Sequence, residues 1–148
     1  MDTSVLFGDT LFVLKGSYFK IPFSSNPKYK MPFCHQSVFV KTELLKKYGF
    51  DTSFKICADN DFFTKLYHRG YQFYPLNQIV SIYDIEGISS TSFFRGGFED
   101  LKIGQKYNKF YFIFYTPKFL YAGCKYFIKK IIPTSLLQKI RTKLYERS

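Results

Sequence analysis

Two carboxylates one residue apart, in Asp59-Asn60-Asp61, are the side chains of this chain best suited to chemistry. A carboxylate can take a proton from a hydroxyl or help hold a divalent cation, and its surroundings decide which. Downstream, Phe62, Phe63, Leu66 and Tyr67 recur at helical spacing and Gly70 follows, so the pattern predicts a helix from about Asp59 to Arg69. On that helix Asp59 lies one turn before the apolar residues and projects at the mouth of the inward face. Asp61 aligns instead with Lys65 and His68, four and seven residues on, as a solvated pair on the polar face. Asp59 is therefore the candidate general base, with a plain helix N-cap as the competing reading. The Asp-x-Asp spacing also fits a metal-binding pattern, but two carboxylates can bind Mg²⁺ or Mn²⁺ in many contexts, so the spacing alone assigns no metal.

Two further groups could serve such a site. His35-Gln36 precedes a short apolar strand at Ser37 to Val40, where a histidine is either a contact for substrate or a satisfied structural residue. Gly87-Ile88-Ser89 can offer backbone N–H groups to a phosphate, or form only a turn.

The elements that must position these residues follow from pattern. Val5 to Phe7 and Leu11 to Leu14 read as two short strands separated by a turn at Gly8-Asp9, with Lys15-Gly16 as the next turn. Residues 22–32 form a polar loop. Thr42 caps a first helix with Leu44, Leu45 and Tyr48 on its apolar stripe, and Gly49 ends it with a positive φ. Tyr71 to Tyr74 and Ile79 to Tyr83 read as two more strands. The order is α/β, without an internal repeat. Thr91 to Tyr107 reads as a helix only if Gly96, Gly97 and Gly104 are tolerated. Pro117 and Pro133 divide the rest into helical pieces, the last opening at Thr134 with Leu136, Leu137, Ile140 and Leu144 as its stripe.

Charge divides the chain more sharply than hydropathy does. Residues 1–101 carry eleven basic against ten acidic residues, whereas residues 102–148 carry eleven against one. A basic, aromatic tail implies an anionic partner, either a lipid surface or nucleic acid. Only Arg141 and Arg147 in that tail supply the fork suited to bidentate base contacts, which disfavours nucleic acid. Lysines interrupt the apolar stretch from Phe110 to Ile132 before the ~20 apolar residues of a spanning helix accumulate. Three cysteines without ligand spacing suggest neither a disulfide framework nor a zinc site. Signatures of dinucleotide, P-loop, zinc-protease and esterase chemistry do not occur.

From His35-Gln36 through Phe50-Asp51-Thr52-Ser53-Phe54 and Asp59-Asn60-Asp61 to Gly87-Ile88-Ser89, the order resembles the acceptor-side half of a family-two glycosyltransferase. The resemblance covers roughly residues 5–90. It implies the C-terminal part of a GT-A, Rossmann-like domain over residues 1–90, followed by a basic helical tail over 91–148. It also implies inverting transfer of a sugar from a nucleotide-sugar donor to a surface-glycan or lipid-linked acceptor, as in polysaccharide biosynthesis. Asp59 matches the second residue of that family's Glu-Asp pair, with Ala58 in place of the Glu. His35, Gln36, Asp61, Gly87 and Ser89 would contact substrate, and Mg²⁺ or Mn²⁺ would serve the complete enzyme. The nucleotide-binding half that precedes this order in the family is not found, so the chain reads as truncated or as one part of a split protein, inactive alone. Its expected place is the cytoplasmic face of the cell membrane. The competing class is a non-catalytic module whose tail grips membrane or nucleic acid.

Overall fold

A computed structural model describes residues 4–14, 17–20, 26–84 and 93–131, and shows an α/β chain. The strands are β1 (Val5–Leu14), β2 (Ser17–Lys20), β3 (Val38–Val40) and β4 (Phe73–Asp84). The helices are α1 (Thr42–Tyr48), α2 (Ala58–His68), α3 (Phe93–Tyr107) and α4 (Tyr111–Ile131), with one 3₁₀ turn at His35–Ser37 before β3. The chain divides into two compact units, residues 1–111 and 112–148. α3 belongs to the first unit, where the side chains described below bind it to α2.

The sheet is mixed and centred on β1. β3 pairs antiparallel with Val5–Phe7 and β2 with Leu11–Leu14, while β4 runs parallel to β1 along both stretches. A strand has two edges, so β2 and β3 share one of them end to end and β4 takes the other. The two short strands expected around Gly8-Asp9 are thus one strand. The register with β4 shifts on both sides of Asp9, with the extra residues on β4: Phe7 faces Pro75, Asp9 faces Ile79 and Thr10 faces Ser81. Gly8 is required by close approach: a Cβ at this position would collide with Val80 of β4. The two strands expected at residues 71–83 likewise merge into β4, which pairs with β1 alone among the described residues and so has room for Pro75 on its other edge. The turn expected at Lys15-Gly16 lies outside the described residues.

The core lies between β1 and the apolar face of α2. Phe62 and Leu66 are fully buried, with Phe63, Val5, Phe7, Leu44 and Phe73 around them. Phe33 plugs the centre, stacking on Phe7 at 4.8 Å and meeting Phe63 edge-on at 5.4 Å. Gly49 and Gly70 follow α1 and α2 with φ of +54° and +83°, the positive values the sequence called for at the first of these ends. Thr42 is not the cap of α1. Lys41 holds that position, and no side chain caps the helix.

α3 accommodates its glycines because neighbours occupy their missing side chains. A Cβ on Gly104 would strike the Tyr111 ring, and one on Gly96 would touch Ile56. Pro117 does not divide the tail: it lies inside α4, a continuous helix of 21 residues. Among the described residues no helix is long and apolar enough to cross a membrane. The helix expected from Thr134 lies outside the described residues.

Candidate functional site

The N-terminus of α2 carries three consecutive polar side chains that diverge in three directions. Asp59 Oδ2 lies 3.2 Å from His35 Nδ1, and Asp59 Oδ1 accepts the Asn60 N–H at 2.7 Å. Asn60 Oδ1 accepts the Met31 N–H at 2.6 Å, while its amide donates to Asp100 Oδ1 at 2.8 Å. Asp61 Oδ1 accepts from Lys106 Nζ at 2.6 Å. One residue per direction follows from the ~100° turn of a helix per residue.

Asp59 is not the N-cap of its helix, since Cys57 holds that position without a side-chain cap bond. The unpaired N–H groups before α2 are instead met from α3. Glu99 accepts from Lys55 at 3.1 Å, Ile56 at 2.8 Å and Cys57 at 2.9 Å, and Arg95 Nε donates to it at 3.2 Å. Burial raises the pKa of the Glu99 carboxyl, but the three backbone donors and Arg95 outweigh it and hold the group below its ordinary value. Burial also dominates at Cys57, whose thiol is pushed far up, with Asp100, Glu99 and Asp59 adding to the effect. That thiol is therefore no nucleophile.

His35 is positioned from behind. Ser37, at the end of the same 3₁₀ turn, is fully buried in a cluster of hydroxyls with Thr10 of β1 and Ser81 of β4, the Ser37–Ser81 contact being 2.6 Å. Buried hydroxyls bonded to one another fix the turn to the sheet, so the imidazole meets Asp59 at a defined place. His35 and Gln36 remain exposed, and 26% of the Asp59 side chain is accessible. An incoming hydroxyl can reach this carboxylate.

Asp61 requires a correction. Its side chain is fully buried rather than solvated, because Lys106 of α3, 45 residues on, closes over it. Lys65 Nζ does lie 3.4 Å from Asp61 Oδ2, although that oxygen receives no well-formed hydrogen bond. His68 does not join them: its ring stacks on Tyr107 at 3.9 Å and its Nε2 meets the Lys28 carbonyl. Asp61 cannot touch a substrate in this arrangement. Nor do residues 59–61 fit a shared divalent cation, since Asp61 faces two ammonium groups and Asp59 faces an imidazole. Among the described residues no group of three His, Cys, Asp or Glu side chains is placed to hold a metal ion. Gly87 and Ser89 lie outside the described residues.

Reading the motifs alone missed Glu99, Asp100 and Lys106. A signal was present, since Glu99-Asp100 is the last acidic pair before a run of basic residues and Arg95 stands four before Glu99. A cavity of about 520 Å³ lined by Tyr67, His68, Gly70, Tyr71, Gln72 and Phe73 lies at the opposite end of α2 from Asp59 and contains no carboxylate.

The fold and site define a small α/β domain with one accessible carboxylate beside an imidazole. No protein-family model, curated protein or solved structure matches the chain.

Proposed function

We propose that the first unit is the acceptor-side part of a GT-A type transferase that moves a sugar, with inversion, from a nucleotide-sugar donor to a hydroxyl of a surface-glycan or lipid-linked acceptor. The reading rests on the resemblance together with one observation: His35 and Asp59, which the resemblance named separately, stand 3.2 Å apart with Asp59 accessible. Asp59 takes the proton of the acceptor hydroxyl as its oxygen bonds to the anomeric carbon. The bond from that carbon to the nucleotide diphosphate breaks on the opposite face, and the diphosphate leaves with the electron pair. His35 and Gln36 orient the acceptor or a donor phosphate oxygen beside Asp59. Gly87 and Ser89 keep the phosphate role that the resemblance gives them. Asp61 is assigned to holding α3 on α2.

Because the resemblance gives donor binding to a preceding half, the test joins this chain to the nucleotide-binding half of a family-two transferase and supplies a panel of nucleotide sugars. Asp59→Ala should lower kcat by about 10²- to 10⁴-fold, the usual worth of a positioned base. His35→Ala should cost less. An active fusion whose rate is indifferent to Asp59→Ala would discard the proposal.

A further inference from the structure

Helix α4 presents two faces to solvent that together describe a ligand. Residues seven apart fall on one stripe of a helix. Ile113, Leu120 and Phe127 make one such row and Phe114, Tyr121 and Ile128 another, with the exposed Pro117 and Cys124 between them, and all six are between 51% and 66% exposed. Lys118 and Lys125, also seven apart and exposed, form the adjoining row. Lys125 Nζ stands 5.1 Å over the Tyr121 ring, so the charge lies at the border of the apolar face. The remaining side, with Tyr115, Phe119 and Gly123, is partly or fully covered. No acidic residue occurs between Asp100 and Glu146.

An apolar face this open, bordered by cations that meet no acid along the helix, fits a surface that is apolar inside and anionic outside. We infer that α4 lies in the headgroup region of an anionic lipid bilayer, with the rows of Leu120 and Tyr121 buried among acyl chains and Lys118 and Lys125 at the phosphates. The 21-residue helix is about 31 Å long at 1.5 Å per residue, enough to span. Lys118 and Lys125 near its middle make lying flat the cheaper arrangement. The lysine stems reach the phosphates while their neighbours stay in the apolar layer. Nucleic acid would satisfy the charges but leave six large apolar side chains in water. This inference uses α4 alone and stands apart from the transfer reading.

The test is sedimentation of the full chain with phosphatidylcholine vesicles, with and without phosphatidylserine. Binding should require phosphatidylserine, and Lys118→Ala and Lys125→Ala should each weaken it about fivefold. Replacing Ile113, Leu120 and Phe127 together by Gln should weaken it by about tenfold or more at unchanged charge. The chain contains no Trp, so Leu120→Trp supplies a single reporter. Its emission should shift to the blue on vesicles and be quenched by lipids brominated on the acyl chains, a readout independent of whether the triple variant folds. The inference is overturned if that Trp neither shifts nor is quenched. It also fails if duplex or single-stranded nucleic acid takes the protein from the vesicles at physiological salt. A dimer that the triple variant converts to monomer, with no vesicle binding, would equally assign the face to a second copy of the chain.

Discussion

Around α2 the carboxylates and amides lie inside, each held by a partner from another element, whereas along α4 two rows of large apolar side chains lie exposed beside Lys118 and Lys125. The first unit uses polarity to choose one packing. Asn60 joins the segment at Met31 to α3, Glu99 joins α3 to the start of α2, and Lys106 closes over Asp61. Each of these groups would be costly to bury alone, so each excludes arrangements that leave it unpaired. The exposed rows of α4 are apolar instead and lie at the surface. The difference separates residues that hold the fold from residues that lie at its surface. Asp59 is the exception within α2, a polar group left partly open.

The comparison breaks most readily at Glu99. Glu99→Ala would leave the N–H groups of Lys55, Ile56 and Cys57 without their acceptor, and the loss of stability should be about 3 kcal/mol, measured by denaturant unfolding. Glu99→Gln keeps one acceptor oxygen and should cost less. The carboxyl is held below its ordinary value of 4.5, so the unfolded chain takes up the proton first as acid is added. Stability from this group is then fully present above about pH 4.5 and is lost as pH falls through the lower folded value. Glu99→Gln should flatten that part of the acid limb. A wild-type limb identical to that of the variant would show that the carboxylate does not hold the α2 entrance.

Gly104→Ala probes packing in the same region through a different force. The new methyl group would run into the body of the Tyr111 ring, which itself packs on Tyr29 at 4.9 Å. Alanine improves helix propensity, so the net cost should be about 1–2 kcal/mol, with Tyr111→Ala in the same chain recovering part of it. Stabilisation by Gly104→Ala would mean that α3 has room to move away from Tyr111.

What the sequence showed of this arrangement follows from the range of the forces involved. The apolar face of α2 and the end of α1 at Gly49 were legible because periodicity and a positive φ act within a few residues. Gly8 misled because a turn and a close approach inside a strand call for the same residue, and only Val80, far along the chain, distinguishes them. Asp61 misled for a related reason: its helical neighbours Lys65 and His68 were visible, but the lysine that buries it lies on α3. Pro117 was read as a break, yet α4 runs through it. At the candidate site, His35 and Asp59 were each named from sequence, while the hydroxyls that hold the histidine turn were not, being spread over Thr10, Ser37 and Ser81.

The carboxylate left open should behave differently from the buried ones. Asp59→Ala removes a contact with an exposed imidazole, and such pairs contribute about 0–1 kcal/mol. Unfolding of this variant should therefore stay within that range of wild type. A loss as large as that of Glu99→Ala would make Asp59 a structural residue and remove the reason to assign it a proton.

The smallest effect belongs to α4 and sharpens the comparison from the other side. Leu120 is 62% exposed, so Leu120→Gln removes little buried area, and the two residues have similar helix propensity. Stability should stay within about 0.5 kcal/mol of wild type, as for a surface change that breaks no cap or core contact. Thermal unfolding without lipid measures this directly. Helix content followed in the same experiment shows whether α4 keeps its form. If Leu120→Gln instead costs several times that amount, something in the folded chain already covers this face, and α4 belongs with α2 among the elements that close upon themselves.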